Sequence, residues 1–259
     1  MNSASRRIWL TGASSGIGAA LAELLLKSGH RLALSARSAG PLQALAQRYP
    51  QQVLLAPGDL GDAEQVRAIG ERIAEKWGAL DTLLLNAGTC EYVDAQAFEA
   101  AMIERVTRVN LFAASYCIEA GLPLLRKGRQ PHLVGVGSSV TYLPLPRAAA
   151  YGASKAGLRY LLEALRIDLA GEGIDVTLVS PGFVDTPLTQ KNDFPMPMRW
   201  PVRRAAEYIA SRLDRHPFEI AFPRPFIAVL LLLAHLPKRL QLALGRRMAR
   251  SESSIKDRP

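Results

Sequence analysis

Tyr151 and Lys155 are the two side chains of this 259-residue chain whose types and spacing carry reactivity. Four residues apart on a helix they share a face, with Cβ atoms about 5–6 Å apart. An ammonium at that range favours phenolate and draws a phenol pKa down from about 10. Such a tyrosine gives a proton to a carbonyl oxygen or takes one from an alcohol. Seven tyrosines and seven lysines in this length give roughly 0.2 such spacings by chance, so the pair alone says little. Its setting says more: Tyr151-Gly152-Ala153-Ser154-Lys155 begins a helical pattern 13 residues after the hydroxyl of Ser138.

A second constellation has the character of a binding site. Thr11-Gly12-Ala13-Ser14-Ser15-Gly16-Ile17-Gly18 follows an apolar run and opens a helical one. Glycines there let the backbone turn sharply and approach a pyrophosphate, whose charge the helix N-terminus stabilises. The spacing is G-x-x-x-G-x-G, not the G-x-G-x-x-G of the general dinucleotide fingerprint. After the second apolar run, NAD-binding chains place Asp or Glu on the ribose hydroxyls. Here no acid stands between Glu23 and Asp59, and Arg37 lies between Ala36 and Ser38. A planar cation suits a ribose 2′-phosphate, which favours NADP(H), with NAD(H) as the weaker alternative. Asp59-Leu60 could accept from an adenine amino group. Asn86-Ala87-Gly88 ends a fourth apolar run, where small residues permit close approach to a cofactor.

The elements that must hold these residues alternate. Strands are predicted at Arg7–Leu10, Arg31–Ser35, Gln52–Ala56, Asp81–Leu85, His132–Val136, Ile174–Ser180 and Phe218–Phe222. Most are too uniformly apolar for a one-sided sheet, as befits strands covered on both faces. Helices are predicted at Gly16–Ser28, Pro41–Tyr49, Ala63–Trp77, Phe98–Gly121, Tyr151–Ala170 and Val202–Leu213, several ended by glycine. That alternation means βαβ units: an α/β fold with a doubly wound, mostly parallel, Rossmann-like sheet, helices on both faces, in a single domain. Residues 1–190 read as its dinucleotide-binding and catalytic core, and 191–259 as a substrate loop and basic-amphipathic C-terminal extension. Lys191–Pro201, with three prolines, reads as irregular, and the tail from Ser251 as disordered.

In order and spacing these motifs resemble the short-chain dehydrogenase/reductase family, the compact type of about 250 residues, from about Arg6 to Leu188. The resemblance implies that Tyr151 is the acid/base and that Ser138 orients the substrate oxygen. It also implies that Lys155 holds the nicotinamide ribose and tunes Tyr151, and that Asn110 supports a proton relay to Lys155. Pro181-Gly182-Phe183-Val184-Asp185-Thr186 would hold the nicotinamide carboxamide through Val184 and Thr186. The implied reaction is NADP(H)-dependent interconversion of a carbonyl and a secondary alcohol. The alternatives are a dehydratase or epimerase with the same residues, or a non-catalytic nucleotide sensor or scaffold. The resemblance also implies a homodimer or homotetramer. Leu85 stands where the family often has Asn, and Gly135 and Gly137 where Asn and Ser are common. Ser139 is the neighbour that a one-residue shift would substitute for Ser138.

Composition bounds the rest. With 49% hydrophobic and 21% charged residues the chain is neither disordered nor fibrous. Two cysteines, Cys90 and Cys117, cannot build a disulfide scaffold or a thiolate metal site, and no metal is expected. The apolar run after Arg6-Arg7 is too short for a signal peptide, so a cytoplasmic location is expected. The net charge of +9 is uneven: up to Gln190 the balance is +1, and from Lys191 onward it is +8. With no basic stripe on the body, nucleic acid is not an expected partner. Residues 224–250 mix leucines with Lys238, Arg239, Arg246, Arg247 and Arg250. They suit either an anionic membrane surface or packing on a partner subunit or lid. Thr89–Val93, Thr141–Arg147 and Leu188–Arg204 are expected around the reactive pair. Tyr142, Leu143, Leu145, Phe183, Phe194, Met196, Met198 and Trp200 there suggest a hydrophobic small-molecule carbonyl or alcohol.

Overall fold

The computed structural model describes residues 5–256. Its first half alternates β1 (Arg7–Thr11), α1 (Gly16–Lys27), β2 (Arg31–Ser35), α2 (Ala39–Arg48), β3 (Val53–Leu55), α3 (Ala63–Trp77) and β4 (Thr82–Leu85). Then come α4 (Ala100–Thr107), α5 (Ala113–Leu125), β5 (His132–Val136), α6 (Ala149–Asp168) and β6 (Asp175–Pro181). The remainder holds β7 (Val184–Asp185), β8 (Trp200–Pro201), α7 (Val202–Leu213), β9 (Glu219–Phe222), α8 (Arg224–Ala234) and α9 (Lys238–Lys256). Among the described residues seven strands form one sheet in the order β3-β2-β1-β4-β5-β6-β9, every neighbouring pair parallel. The order reverses between β1 and β4, which opens a crevice at their carboxyl ends.

The uniformly apolar strands are explained by what covers them. On β1, Trp9 faces a core with α3, α5 and α6, while Ile8 and Leu10 face a second core with α1, α2 and α7. β4 does the same, with Leu83 and Leu85 on one side and Leu84 on the other. Alternate side chains of a strand point to opposite faces, so both sets must be apolar. Gly135 on β5 lets Leu162 of α6 lie directly on the sheet, where a Cβ would collide with the Leu162 methyl.

Three expectations change. The single helix expected over Phe98–Gly121 is interrupted at Arg108–Phe112 by a π-turn, which inserts a residue into the ladder and aims Asn110 inward. The loop expected over Lys191–Pro201 ends in a strand: Trp200 and Pro201 pair with Val184 and Asp185. The last helix continues to Lys256, so the chain from Ser251 to Lys256 is helical rather than irregular. Residues 257–259 of that predicted tail lie outside the described ones.

Candidate active site

The glycine turn is fixed by its neighbours. Gly12 and Gly16 have φ of 65° and 54°, in the left-handed region that side-chain-bearing residues avoid. Gly18 is needed for space, because its Cβ would overlap Gly12 O and Asn86 Nδ2. Asn86 donates from Nδ2 to the carbonyls of Thr11 and Gly12, both at 3.1 Å, and Thr11 Oγ1 accepts from the N–H groups of Asn86 and Ala87. The ends of β1 and β4 are thereby locked together across the point where the order reverses.

One cleft runs along this edge. Gly12, Ser14, Ser15, Gly16 and Ile17 line it with Arg37, Asp59, Leu60, Asn86, Ala87 and Gly88. At its other end are Ser138, Tyr151, Lys155, Pro181, Gly182, Val184 and Thr186. Of the residues singled out from sequence, Gly18 and Asn110 lie behind this surface and support it. Arg37 is exposed at the rim and has no ion-pair partner among the described residues. Asp59 spends one carboxylate oxygen on the N–H of Gly61 at 2.9 Å.

Ser138 stands two residues past the end of β5 and lines the cleft, with its Oγ accepting from Val140 N at 3.2 Å. Ser139 is buried and does not line it. Lys155 is buried, with its Nζ donating to Val136 O at 2.8 Å. Gly88 makes room for that ammonium, since a Cβ there would stand 3.2 Å from Lys155 Nζ and 3.2 Å from Asn110 Oδ1. Asn110 is fully committed: Oδ1 accepts from Thr89 N at 2.7 Å, while Nδ2 donates to Thr89 O and Ser154 Oγ, each at 2.9 Å. Its side chain therefore acts as a clamp that holds the Thr89 backbone against α6.

The electrostatics correct one expectation. Burial raises the Tyr151 phenol to about 12, and the Ser138 hydroxyl opposes only part of that shift. The neighbouring Lys155 is itself pushed down to about 8 by burial. In the protein alone, desolvation dominates, and the phenol is protonated at neutral pH. The thiol of Cys90, raised by its own burial, is near enough to perturb both groups. Sequence reasoning placed Cys90 only within the Thr89–Val93 segment expected around the reactive pair and gave its thiol no role of its own. It placed Thr89 near the reactive pair but did not foresee its clamp by Asn110, nor the part of Ser154, because both act through backbone and hydroxyl contacts that leave no pattern.

The surroundings differ from the expected wall. Phe183 packs at 6.2 Å from Phe194 and 5.5 Å from Phe226, and Tyr92 meets Phe194 edge-on at 5.3 Å. Tyr142 instead gives its hydroxyl to Glu219 at 2.6 Å, in a cluster with Arg159 and Ser180. Trp200 stacks on Phe222 at 5.0 Å, and both it and the half-exposed Met198 line a different cleft. Two contacts tie the loop after Leu188 to the segments beside it: Tyr92 donates to Asn192 Oδ1 at 2.8 Å, and Arg147 pairs with Asp193 at 2.9 Å.

Residues 6–195 match the family model described as short chain dehydrogenase. The chain is 34% identical over 247 residues to an oxidoreductase of Myxococcus xanthus, covering 94% of this chain and 97% of that protein. It is 35% identical over 192 residues to 11-beta-hydroxysteroid dehydrogenase A of Sesamum indicum, covering 72% of this chain and 55% of that one. Among solved structures, a short-chain dehydrogenase from Streptomyces avermitilis superposes with a TM-score of 0.81 at 23% identity, covering 96% of this chain and 99% of that one.

Proposed function

The chain belongs to the short-chain dehydrogenase family, and from that premise we propose an NADP(H)-dependent oxidoreductase that interconverts a hydrophobic carbonyl compound and its secondary alcohol. The observation that carries this reading is the continuous cleft joining the glycine turn and Arg37 to Ser138, Tyr151 and Lys155. Its donor set fits a dinucleotide: backbone brought close by Gly12, Gly16 and Gly18, the N-terminus of α1 for the pyrophosphate, and Arg37 for a 2′-phosphate. Bound there, the nicotinamide supplies or accepts the hydride.

The rest is the work of this chain. Ser138 Oγ and Tyr151 Oη orient the substrate oxygen, and a phenol protonated at neutral pH is the form that reduction requires. Tyr151 Oη gives its proton to the oxygen as carbonyl becomes alcohol, and takes it back in the reverse direction. Lys155 holds a cation beside it, and Asn110 keeps Thr89, Ser154 and hence α6 in register. A transient phenolate in this buried site draws on that cation more strongly than it would in water. The aromatic group of Tyr92, Phe183 and Phe194, and the resemblance to a hydroxysteroid dehydrogenase, support an apolar substrate.

Fluorescence titration with NADPH and NADH, then a screen of apolar ketones and alcohols, tests the reading. NADPH should bind at least tenfold tighter, and Arg37→Asp should abolish that preference, because a charge-assisted hydrogen bond is worth about 1.5–3 kcal/mol. Tyr151→Phe should retain cofactor affinity and lose roughly 10²–10⁴-fold in turnover. Equal affinity for the two cofactors would remove the role of Arg37. Tight binding with no turnover of any substrate would favour a sensor.

A further inference from the structure

Outside the active-site cleft, α8 buries Ile227 and Leu230 against the body and leaves Val229, Leu231 and Leu232 exposed, Leu232 by 70%. α9 adds exposed Leu240 and Leu244, which helical spacing puts on one side. The two helices are joined by Gln241, which donates to Ala234 O and Leu236 O at 2.8 Å, and exposed apolar side chains on both point to a contact with something else. Charge indicates with what. From Arg224 to Arg250 the sequence holds six Lys and Arg and no Asp or Glu, whereas the chain up to Gln190 is nearly neutral. A second copy of the same face would set these cations against one another, and like-charge juxtaposition opposes association. An anionic bilayer surface is complementary to both the leucines and the cations.

A second observation lies at the root of α8. An open cleft there is lined by Arg199, Arg204, Arg212 and Arg224, with Trp200 and Tyr208 in its wall. Arg204 sits 4.2 Å over the Trp200 ring and Arg212 3.4 Å over the Tyr208 ring. The rings orient these guanidinium groups without neutralising them. Arg199 has a carboxylate, Asp185, at 3.7 Å. Arg224 lines this cleft and shares the exposed side of α8 with Ala228 and Leu232, four and eight residues on, so one residue belongs to both features. No helix among the described residues is long and apolar enough to cross a membrane.

We propose that α8, α9 and the arginine cleft form a docking surface for an anionic phospholipid bilayer. The leucines enter the acyl boundary and headgroup phosphates sit against the guanidinium groups. Sedimentation of the full chain with phosphatidylcholine vesicles, with and without phosphatidylglycerol, tests this. The expected result is binding to the anionic vesicles alone, weakened by salt. Arg204→Gln with Arg224→Gln should lower partition roughly thirty-fold, since each cation at such a surface strengthens binding roughly fivefold. Leu232→Ser with Leu240→Ser should lower it at least tenfold, with circular dichroism and melting unchanged in both double variants. Absence of wild-type binding to anionic vesicles overturns the proposal, as does binding that the arginine variant leaves intact. An assembly in sedimentation velocity that the leucine variant breaks, without vesicle binding, would make the face an interface between copies and equally overturn it.

Discussion

Gly18→Ala isolates the demand that the glycine turn places on space. Gly18 is in the first turn of α1 outside the left-handed region, so alanine meets no backbone penalty and gains about 1 kcal/mol of helix propensity. Against that, the new Cβ would overlap Gly12 O and Asn86 Nδ2 and stand 2.9 Å from Gly12 C. Two of these atoms are backbone, and the third, Asn86 Nδ2, is pinned by hydrogen bonds to Thr11 O and Gly12 O. Overpacking of this kind costs about 1–3 kcal/mol. Displacing Asn86 also disrupts its two 3.1 Å hydrogen bonds to Thr11 O and Gly12 O, each worth about 1 kcal/mol. The net expectation is a loss of about 2–4 kcal/mol, a fall in Tm of roughly 5–15 °C, and cofactor affinity weakened more than tenfold. Thermal melts with and without NADPH measure both quantities. Gly40→Ala is the control: its Cβ meets nothing within 4 Å in α2, so it should be neutral or slightly stabilising. If Gly18→Ala melts and binds as the wild type does, the turn is looser than argued and the locking role of Asn86 fails with it.

Two further perturbations address the supports of the site. Asn110→Ala would strip the Thr89 N–H and carbonyl of their partners and leave Ser154 unpaired on that side. A loss of about 2–4 kcal/mol is expected in urea unfolding, with faster amide exchange at Thr89; unchanged exchange would show that the clamp is dispensable. Asp81 governs acid stability. Burial alone would raise its carboxyl, but hydrogen bonds from the Arg7 side chain and the N–H groups of Arg129 and Arg7 hold it at about 2, against an ordinary 3.8. A carboxyl lowered in the fold contributes stability above its unfolded pKa and loses it as pH falls through the folded one. About 2 kcal/mol should therefore disappear between about pH 4 and pH 2. Asp81→Asn should flatten that part of the stability profile, and an unaltered slope would assign the acid sensitivity elsewhere.

The sheet was legible because burial on both faces leaves a mark at every position. Trp9, Leu83 and Leu85 serve one core while Ile8, Leu10 and Leu84 serve the other, so whole runs had to be apolar. The cleft was legible for a related reason: glycines, Arg37 and Tyr151-x-x-x-Lys155 sit at strand ends and helix starts, which alternation locates. What escaped depends on contacts between distant segments. The π-turn at Asn110 adds one residue to an otherwise regular apolar period, which composition does not register. Trp200 and Tyr142 are aromatic, and nothing local says that one stacks on Phe222 while the other answers Glu219. The acidity of Tyr151 was misjudged because the spacing gives the distance to a cation but not the depth at which both groups sit.

The latch formed by Tyr92 with Asn192 and by Arg147 with Asp193 couples three stretches that differ in sequence position by up to about a hundred residues. Altering substrate preference by exchanging the 188–204 stretch alone would sever both ties, leaving the donor segments holding partners that no longer exist. A graft from a relative should carry the residues around 92 and 147 along with it, so that the linked segments are transplanted as one interlocking piece.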